Sequence, residues 1–252
     1  MDLCEQERQW RQWEQTPFSG WDFGRLEGHI VEEPLPWDYA ALAREALSEA
    51  HSVLDVGTGG GEMLASLRDE WPAQVIATEA YPPNARLAHK RLAPLGAQVV
   101  HAIDEMDQPL PFADGCFDLI LNRHSSYNLT DYASMLRPGG RLLTQQVDGA
   151  DLKDLAACFG AHPQWLFLQL SLAKSWALRA GLMVDWAAEW QGTITFRSVG
   201  ALVYFLKAIP WIVPGFSVDR HRKVLVALQE QLDAGEPLAY TQRRYLLRAH
   251  LA

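Results

Sequence analysis

The residues best suited to chemistry are acids that recur at intervals through the first half of the chain. Asp55 stands two residues ahead of a glycine-rich run, Val53-Leu54-Asp55-Val56-Gly57-Thr58-Gly59-Gly60-Gly61. Gly57, Gly59 and Gly61 let the backbone turn sharply and let a ligand approach bare main chain. A helix opening near Glu62 would aim its free N–H groups at that ligand and favour an anionic group on it, such as a carboxylate. Dinucleotide-binding loops carry an apolar residue where Asp55 stands and a small one where Glu62 stands. An acid beside the loop suits a ligand bearing cationic charge better than one bearing pyrophosphate. Glu79 follows about twenty residues after the loop, where a carboxylate can accept hydrogen bonds from both hydroxyls of a ribose. Asp104, Glu105 and Asp107 follow at the end of a further apolar run.

Beyond the acids, Asn122-Arg123-His124-Ser125-Ser126-Tyr127 follows an apolar run, Phe117-Asp118-Leu119-Ile120-Leu121. His124 is the candidate general base, since an imidazole titrates near neutrality. The alternative is that it only bonds main chain. Tyr127 could orient a substrate, while Asn122 and Arg123 contact a cofactor or hold the loop.

The elements that must position these groups alternate. Apolar runs predict strands over 53–56, 74–79, 97–103, 117–122 and 141–147. Helical periodicity falls between them, over 37–50, from Glu62 through Met63, Leu64, Leu67 and Trp71, over 82–92 behind Pro82-Pro83, and over 131–137. This alternation predicts an α/β fold with an open, doubly wound, mostly parallel sheet. Ligands of such sheets sit beyond the carboxyl ends of the strands, where the acids fall. Downstream, helices are expected over 151–159, 163–180, 198–209 and 218–234, and strands over 182–196 and 239–251. A short helix is expected over 2–15. The stretch 16–37 is irregular and aromatic, with Phe18, Trp21, Phe23 and Trp37. It reads as a function-bearing lid. The expected organisation is an N-terminal lid over 1–50 and a Rossmann-like domain over 51–252. A helical cap is inserted at about 197–238.

Three segments carry a family resemblance. Val53–Gly61 resembles the first motif of class I S-adenosylmethionine-dependent methyltransferases. Leu110-Pro111-Phe112-Ala113-Asp114-Gly115-Cys116-Phe117-Asp118-Leu119-Ile120 is similar to their fourth-strand region. Leu136-Arg137-Pro138-Gly139-Gly140-Arg141-Leu142 is similar to their helix-to-fifth-strand turn. The segment Ile103–Pro109 is slightly longer than usual for the family, which blurs the adenine contact. Together the segments cover about residues 50–150. The resemblance implies bound S-adenosylmethionine, released as S-adenosylhomocysteine after transfer of its methyl group. The residues it implies at the cofactor are Asp55, Gly57, Thr58, Gly59, Gly61, Glu79, Ala80, Asp104, Glu105 and Asn122. The sulfonium is already an activated leaving group, so in-line alignment supplies most of the rate. His124 and Tyr127 are the catalytic candidates.

Bulk properties bound the partner. The 252 residues hold 31 acidic and 22 basic side chains, a net charge of −9. That disfavours a nucleic acid held by phosphate neutralisation. Cys4, Cys116 and Cys158 are scattered and form no metal-ligating cluster, so no metal is expected, and their odd number fits a reducing, cytoplasmic setting. The apolar run 199–213 is short for a membrane span and is interrupted by Lys207 and Pro210. The expected acceptor is therefore a small molecule. An RNA- or protein-modifying methyltransferase, a non-catalytic S-adenosylmethionine-binding protein and a dinucleotide oxidoreductase are the alternatives. Arg220, His221, Arg222, Lys223, Arg243 and Arg244 would assemble a basic groove in the RNA case.

Overall fold

A computed structural model describes residues 2–21, 23–103 and 109–252. Eight strands form one mixed sheet. Its centre is built from β2 (Ser52–Val56), β3 (Gln74–Glu79), β4 (Gln98–His101), β5 (Phe117–Arg123) and β6 (Leu136–Val147). These five run parallel, in the order β4-β3-β2-β5-β6. Beyond β6 the sheet continues antiparallel through β8 (Leu238–Leu251) and β7 (Leu182–Phe196), and β1 (Ile30–Glu32) closes that side. From β2 the chain works outward to β4, then returns to lay β5 on the other flank of β2. Strand order reverses there, and a crevice opens at the carboxyl ends of β2 and β5.

Both faces of the sheet are covered, which explains why its strands read as continuous apolar runs. On one face α2 (Tyr39–Ser48), α3 (Glu62–Ala65) and α4 (Pro82–Leu92) bury Leu47, Leu64 and Leu92 against Val53, Val75 and Leu121. On the other, α5 (Leu129–Met135) and α7 (Leu170–Arg179) bury Tyr132 and Ala177 against Leu54, Ile120 and Leu142.

A third core lies past the carboxyl edge of the parallel strands, because β7 and β8 overrun that edge. Their outer halves, with Ile194, Phe196, Leu238 and Tyr240, pack against α1 (Leu3–Gln15), α8 (Val199–Ala208) and α9 (Arg222–Asp233). Every residue of α8 except Lys207 is buried, as expected of a helix apolar on all sides. Trp13 of α1 rests on Gly200, where a Cβ would lie 2.3 Å from the indole. No helix among the described residues is long and apolar enough to cross a membrane.

Three elements depart from the sequence expectation. The helix after the glycine loop is only four residues long, followed by a 3-10 turn at Arg68–Glu70, and the Trp71 indole donates to Leu64 O at 3.0 Å. The helix expected over 163–180 starts only at Leu170. Main chain of Trp165 and Leu166 lies against Gly149, whose N–H donates to Leu168 O at 2.7 Å, so that stretch cannot coil. β1 was concealed inside the aromatic stretch 16–37, where three residues give too little alternation to read.

Asp118 clasps β5 to the start of β2. Its Oδ2 accepts from the N–H groups of His51 (3.0 Å) and Ser52 (2.8 Å) and from the Ser52 hydroxyl (2.9 Å), while Oδ1 accepts from Arg137 at 3.0 Å. Burial pushes this carboxyl up, but the Ser52 and His51 donors and Arg137 outweigh it and hold it below its ordinary value. A carboxyl so depressed contributes stability above its unfolded pKa and loses it as pH falls through the folded one. Asp118→Asn is therefore expected to cost about 1–3 kcal/mol at neutral pH. The deficit should shrink below about pH 4, as urea melts at the two pH values will report.

Candidate functional site

The tips of β2 and β3 bring Asp55, the glycine loop and Glu79 together. The glycine loop after β2 is tied to β3 by Thr58 N–H, which donates to Thr78 O at 2.9 Å. Gly57 and Gly59 both have positive φ, 70° and 64°, which disfavours any side chain there. Space forbids one as well: a Cβ on Gly57 would lie 2.1 Å from Ser125 Oγ, and on Gly59 2.6 Å from the Trp21 indole. The aromatic arm thus lies directly on the loop.

Glu79 ends β3 and is buried. Its Oε2 accepts from Gly59 N–H and its Oε1 from Tyr81 N–H, both at 2.8 Å. Burial pushes its carboxyl up, against those donors and the nearby His101. Each oxygen keeps a second lone pair for a ligand hydroxyl. Ala80, next in the chain, is exposed and its carbonyl lies 2.8 Å from His101 Nε2. Asp104, Glu105 and Asp107 lie outside the described residues.

A cavity of about 360 Å³ opens beside Asp55, Gly57 and Thr58, within the range of small-molecule sites. One wall is polar: Glu32, Arg123, His124, Asp151, Gln242 and Arg244. The opposite wall is apolar: Trp21, Phe23, Phe205, Ile209, Trp211 and Ile212. The overrun of β7 and β8 creates this chamber, since α8 and the arm packed on it roof over the strand tips. Arg123 and His124 both line the cavity, and each keeps exposed surface.

The electrostatics of the floor are unusual. Burial raises the Asp55 carboxyl from its ordinary 3.8 to about 6, with the Thr58 hydroxyl and Arg123 pulling the other way and Glu79 adding to the rise. The Tyr39 hydroxyl, also on the cavity wall, is buried and has no hydrogen-bond partner among the described residues. Burial, then Asp55, hold it well above the ordinary phenol range. Arg123 lies over the Tyr39 ring, 5.7 Å from its centroid.

Asn122 and Tyr127 are not where a ligand contact would need them. Asn122 is fully buried, and its amide donates to Val56 O and Ser126 O, both at 3.2 Å. Its Oδ1 accepts from Thr144 at 2.9 Å and from Gln146. With both hydrogens committed, the side chain holds the loop. Tyr127 turns to the opposite face of the sheet, where its hydroxyl pairs with that of Tyr245 at 2.8 Å and its ring meets Trp176 edge to face. It is not on the cavity wall, so it cannot orient a ligand there. Three residues of the postulated basic groove have partners. Arg222 pairs with Glu7 and Arg244 with Asp151, while His221 stacks on Phe216.

Sequence reasoning missed Tyr39, Trp37, Gln145 and Gln242 as residues of the site. One signal was available: Gln145-Gln146 continues the run Leu142-Leu143-Thr144 into polar residues where the strand is still buried.

Comparison with known proteins places this geometry. Residues 53–145 match the family described as a methyltransferase domain. A demethylmenaquinone methyltransferase of Thermus thermophilus is 30% identical over 117 residues, covering 43% of this chain and 53% of that protein. The chain spans about half the length of the curated relatives it matches. Among solved structures, the YcgJ protein of Bacillus subtilis superposes with a TM-score of 0.59 at 18% identity, over 84% of this chain and 97% of that one. An S-adenosylmethionine-dependent methyltransferase from Geobacter sulfurreducens, in complex with S-adenosyl-L-homocysteine, gives 0.50 at 17% identity, over 88% and 94%.

An acid held near pH 6 has a cost without a ligand. The folded state binds more protons than the unfolded chain between pH 3.8 and about 6, so Asp55 lowers stability as pH rises through that window. The penalty stays in place above it. Asp55→Asn is expected to stabilise the ligand-free protein by about 1–3 kcal/mol at pH 7 and by less at pH 4, read from denaturant melts.

Proposed function

We propose, taking residues 53–145 as a class I S-adenosylmethionine-dependent methyltransferase domain, that this chain transfers the cofactor's methyl group to a small-molecule acceptor. The supporting observation is that one cavity joins the floor at Asp55, Gly57 and Thr58 to a half-polar, half-aromatic chamber. A donor at one end and an acceptor at the other would meet inside it, away from bulk water.

The residues present fit that cofactor. Asp55 offers a carboxylate to an ammonium group. The unpartnered Tyr39 hydroxyl beside it offers a further polar contact. Gly57 and Gly59 leave main chain uncovered by side chains of their own, and Glu79 retains lone pairs for ribose hydroxyls. When bound, S-adenosylmethionine supplies a methyl group already activated on a positively charged sulfur. What the chain must do is hold the acceptor in line and exclude water. Asn122 fixes the strand tips, and Asp118 clasps β5 to β2 at their opposite ends. The arm within residues 1–50 and the helical segment at about 197–238 serve as lid and cap, with Trp21 and Trp211 meeting edge to face at 5.8 Å.

Titration calorimetry with S-adenosylhomocysteine should show binding to the wild type that weakens at least about tenfold in Glu79→Ala, where charge-assisted hydrogen bonds are lost. Affinity should fall as pH drops through about 6, where Asp55 gains a proton, and Asp55→Asn should bind weakly with no such dependence. Unchanged affinity in both variants would refute the reading.

A further inference from the structure

We propose that Trp37 and Gln145 are positioning residues that fix His124 as a hydrogen-bond donor, and that His124 with Arg123 selects an acceptor bearing an anionic oxygen. This rests on the methyltransferase reading and goes beyond it by naming the acceptor's chemistry.

The hydrogen assignments follow from a chain of forced choices. The Trp37 indole N–H can only donate, and it lies 2.7 Å from Gln145 Oε1. That fixes the orientation of the Gln145 amide, so its NH₂ faces His124. An amide nitrogen also can only donate, and it lies 2.8 Å from His124 Nε2. Nε2 is therefore the accepting nitrogen, and the ring proton sits on Nδ1. A second proton on Nε2 would set two donors against each other. Burial, followed by Arg123 and Arg244, likewise pushes His124 well below its ordinary pKa. Gln145 grips the residue a second time, since its main-chain oxygen accepts His124 N–H at 2.8 Å. That bond helps hold the left-handed backbone of His124, φ 54°, a conformation that marks functional positions when the surroundings impose it. The basic nitrogen is thus occupied, and His124 is a donor rather than a general base. Nδ1 makes no hydrogen bond among the described residues, and the ring lines the cavity.

Arg123 supplies the charge. Apart from Asp55, every other charged group on the cavity wall has a partner. Arg244 pairs with Asp151, Glu62 with Arg91, and Glu32 accepts from Gln242 at 2.7 Å. Asp55 is set beside the cofactor's place. No carboxylate lies within 4 Å of Arg123 among the described residues, and its contact is the Tyr39 ring. A cation and a fixed N–H donor side by side suit an anionic oxygen such as a phenolate, an enolate or a carboxylate. The apolar wall takes the rest of the molecule. Such an acceptor arrives ionised and needs no proton removed: its own electron pair would form the new bond to methyl while the sulfur–methyl pair stays on sulfur, which leaves as the neutral thioether.

The cofactor's carboxylate is the other possible source of that oxygen, and the test separates the two. The probe is 4-nitrophenol, whose absorbance reports its ionisation, titrated into protein saturated with S-adenosylhomocysteine. Expected is binding as the phenolate at a pH below the probe's own pKa. That binding should weaken about tenfold in Arg123→Leu. Gln145→Glu can still accept from Trp37, but its carboxylate demands a proton on His124 Nε2. It should place a proton on Nε2, seen by ¹⁵N NMR of the ring. Capture of the neutral phenol, no capture, or an unmoved proton in Gln145→Glu would overturn the proposal. So would an Arg123→Leu defect that falls on S-adenosylhomocysteine but spares methylthioadenosine, which lacks the carboxylate. If S-adenosylhomocysteine itself fails to bind, the methyltransferase reading fails first.

Discussion

The site depends on one buried amide. Asn122 stands where the chain, having run outward from β2, comes back to lay β5 against it, and its side chain joins Val56, Ser126, Thr144 and Gln146 in one network. Parallel strands have no tight turn to lock their register, so a satisfied polar cluster at their tips does that work. Each partner left unpaired there would cost about 1–3 kcal/mol. This is why the strand ends can carry Asp55, Arg123 and His124 within one chamber without splaying apart.

The chamber itself is a product of strand length. β7 and β8 continue well past the point where β6 stops, and the helices packed on their outer halves would otherwise have no surface to bury. The result is a crevice that a simple doubly wound sheet leaves open to solvent, here roofed by aromatic side chains. Low local dielectric strengthens every charge interaction inside it. The same burial that makes Asp55 uncomfortable makes it a strong partner for a cation. Such strain is often found concentrated where a protein works.

Much of this was legible in the sequence, and the misses share a cause. Strands, the glycine loop and the acids at the tips of β2 and β3 are local signals. Apolar runs bounded by Gly, Pro and Asp reveal them without knowledge of the partner strands. The helix starting at Leu170 was overcalled because the competing contact, Gly149 against Trp165, comes from elsewhere in the chain. Tyr127 was placed at the ligand by proximity to His124, but the backbone turn after β5 sends it to the other face. The identity of His124 as donor rather than base could not be read locally at all. It is decided by Gln145, 21 residues away, and by Trp37, 108 residues from Gln145. Protonation is a property of the network, whereas histidine in a sequence announces only that it can titrate.

The margins of the sheet carry a consequence of a different kind. One side ends in β1, three residues long, and the other in β4, four residues long. An outermost strand offers unpaired backbone donors and acceptors to any other extended chain it meets, and long flat ones seed fibrils. β1 pairs only with Ile194–Phe196 of β7, so most of that fifteen-residue strand lies open at the margin, long enough for a passing strand to zip onto. Asp185 and Glu189 interrupt this open stretch, and charges on an outermost strand oppose such pairing.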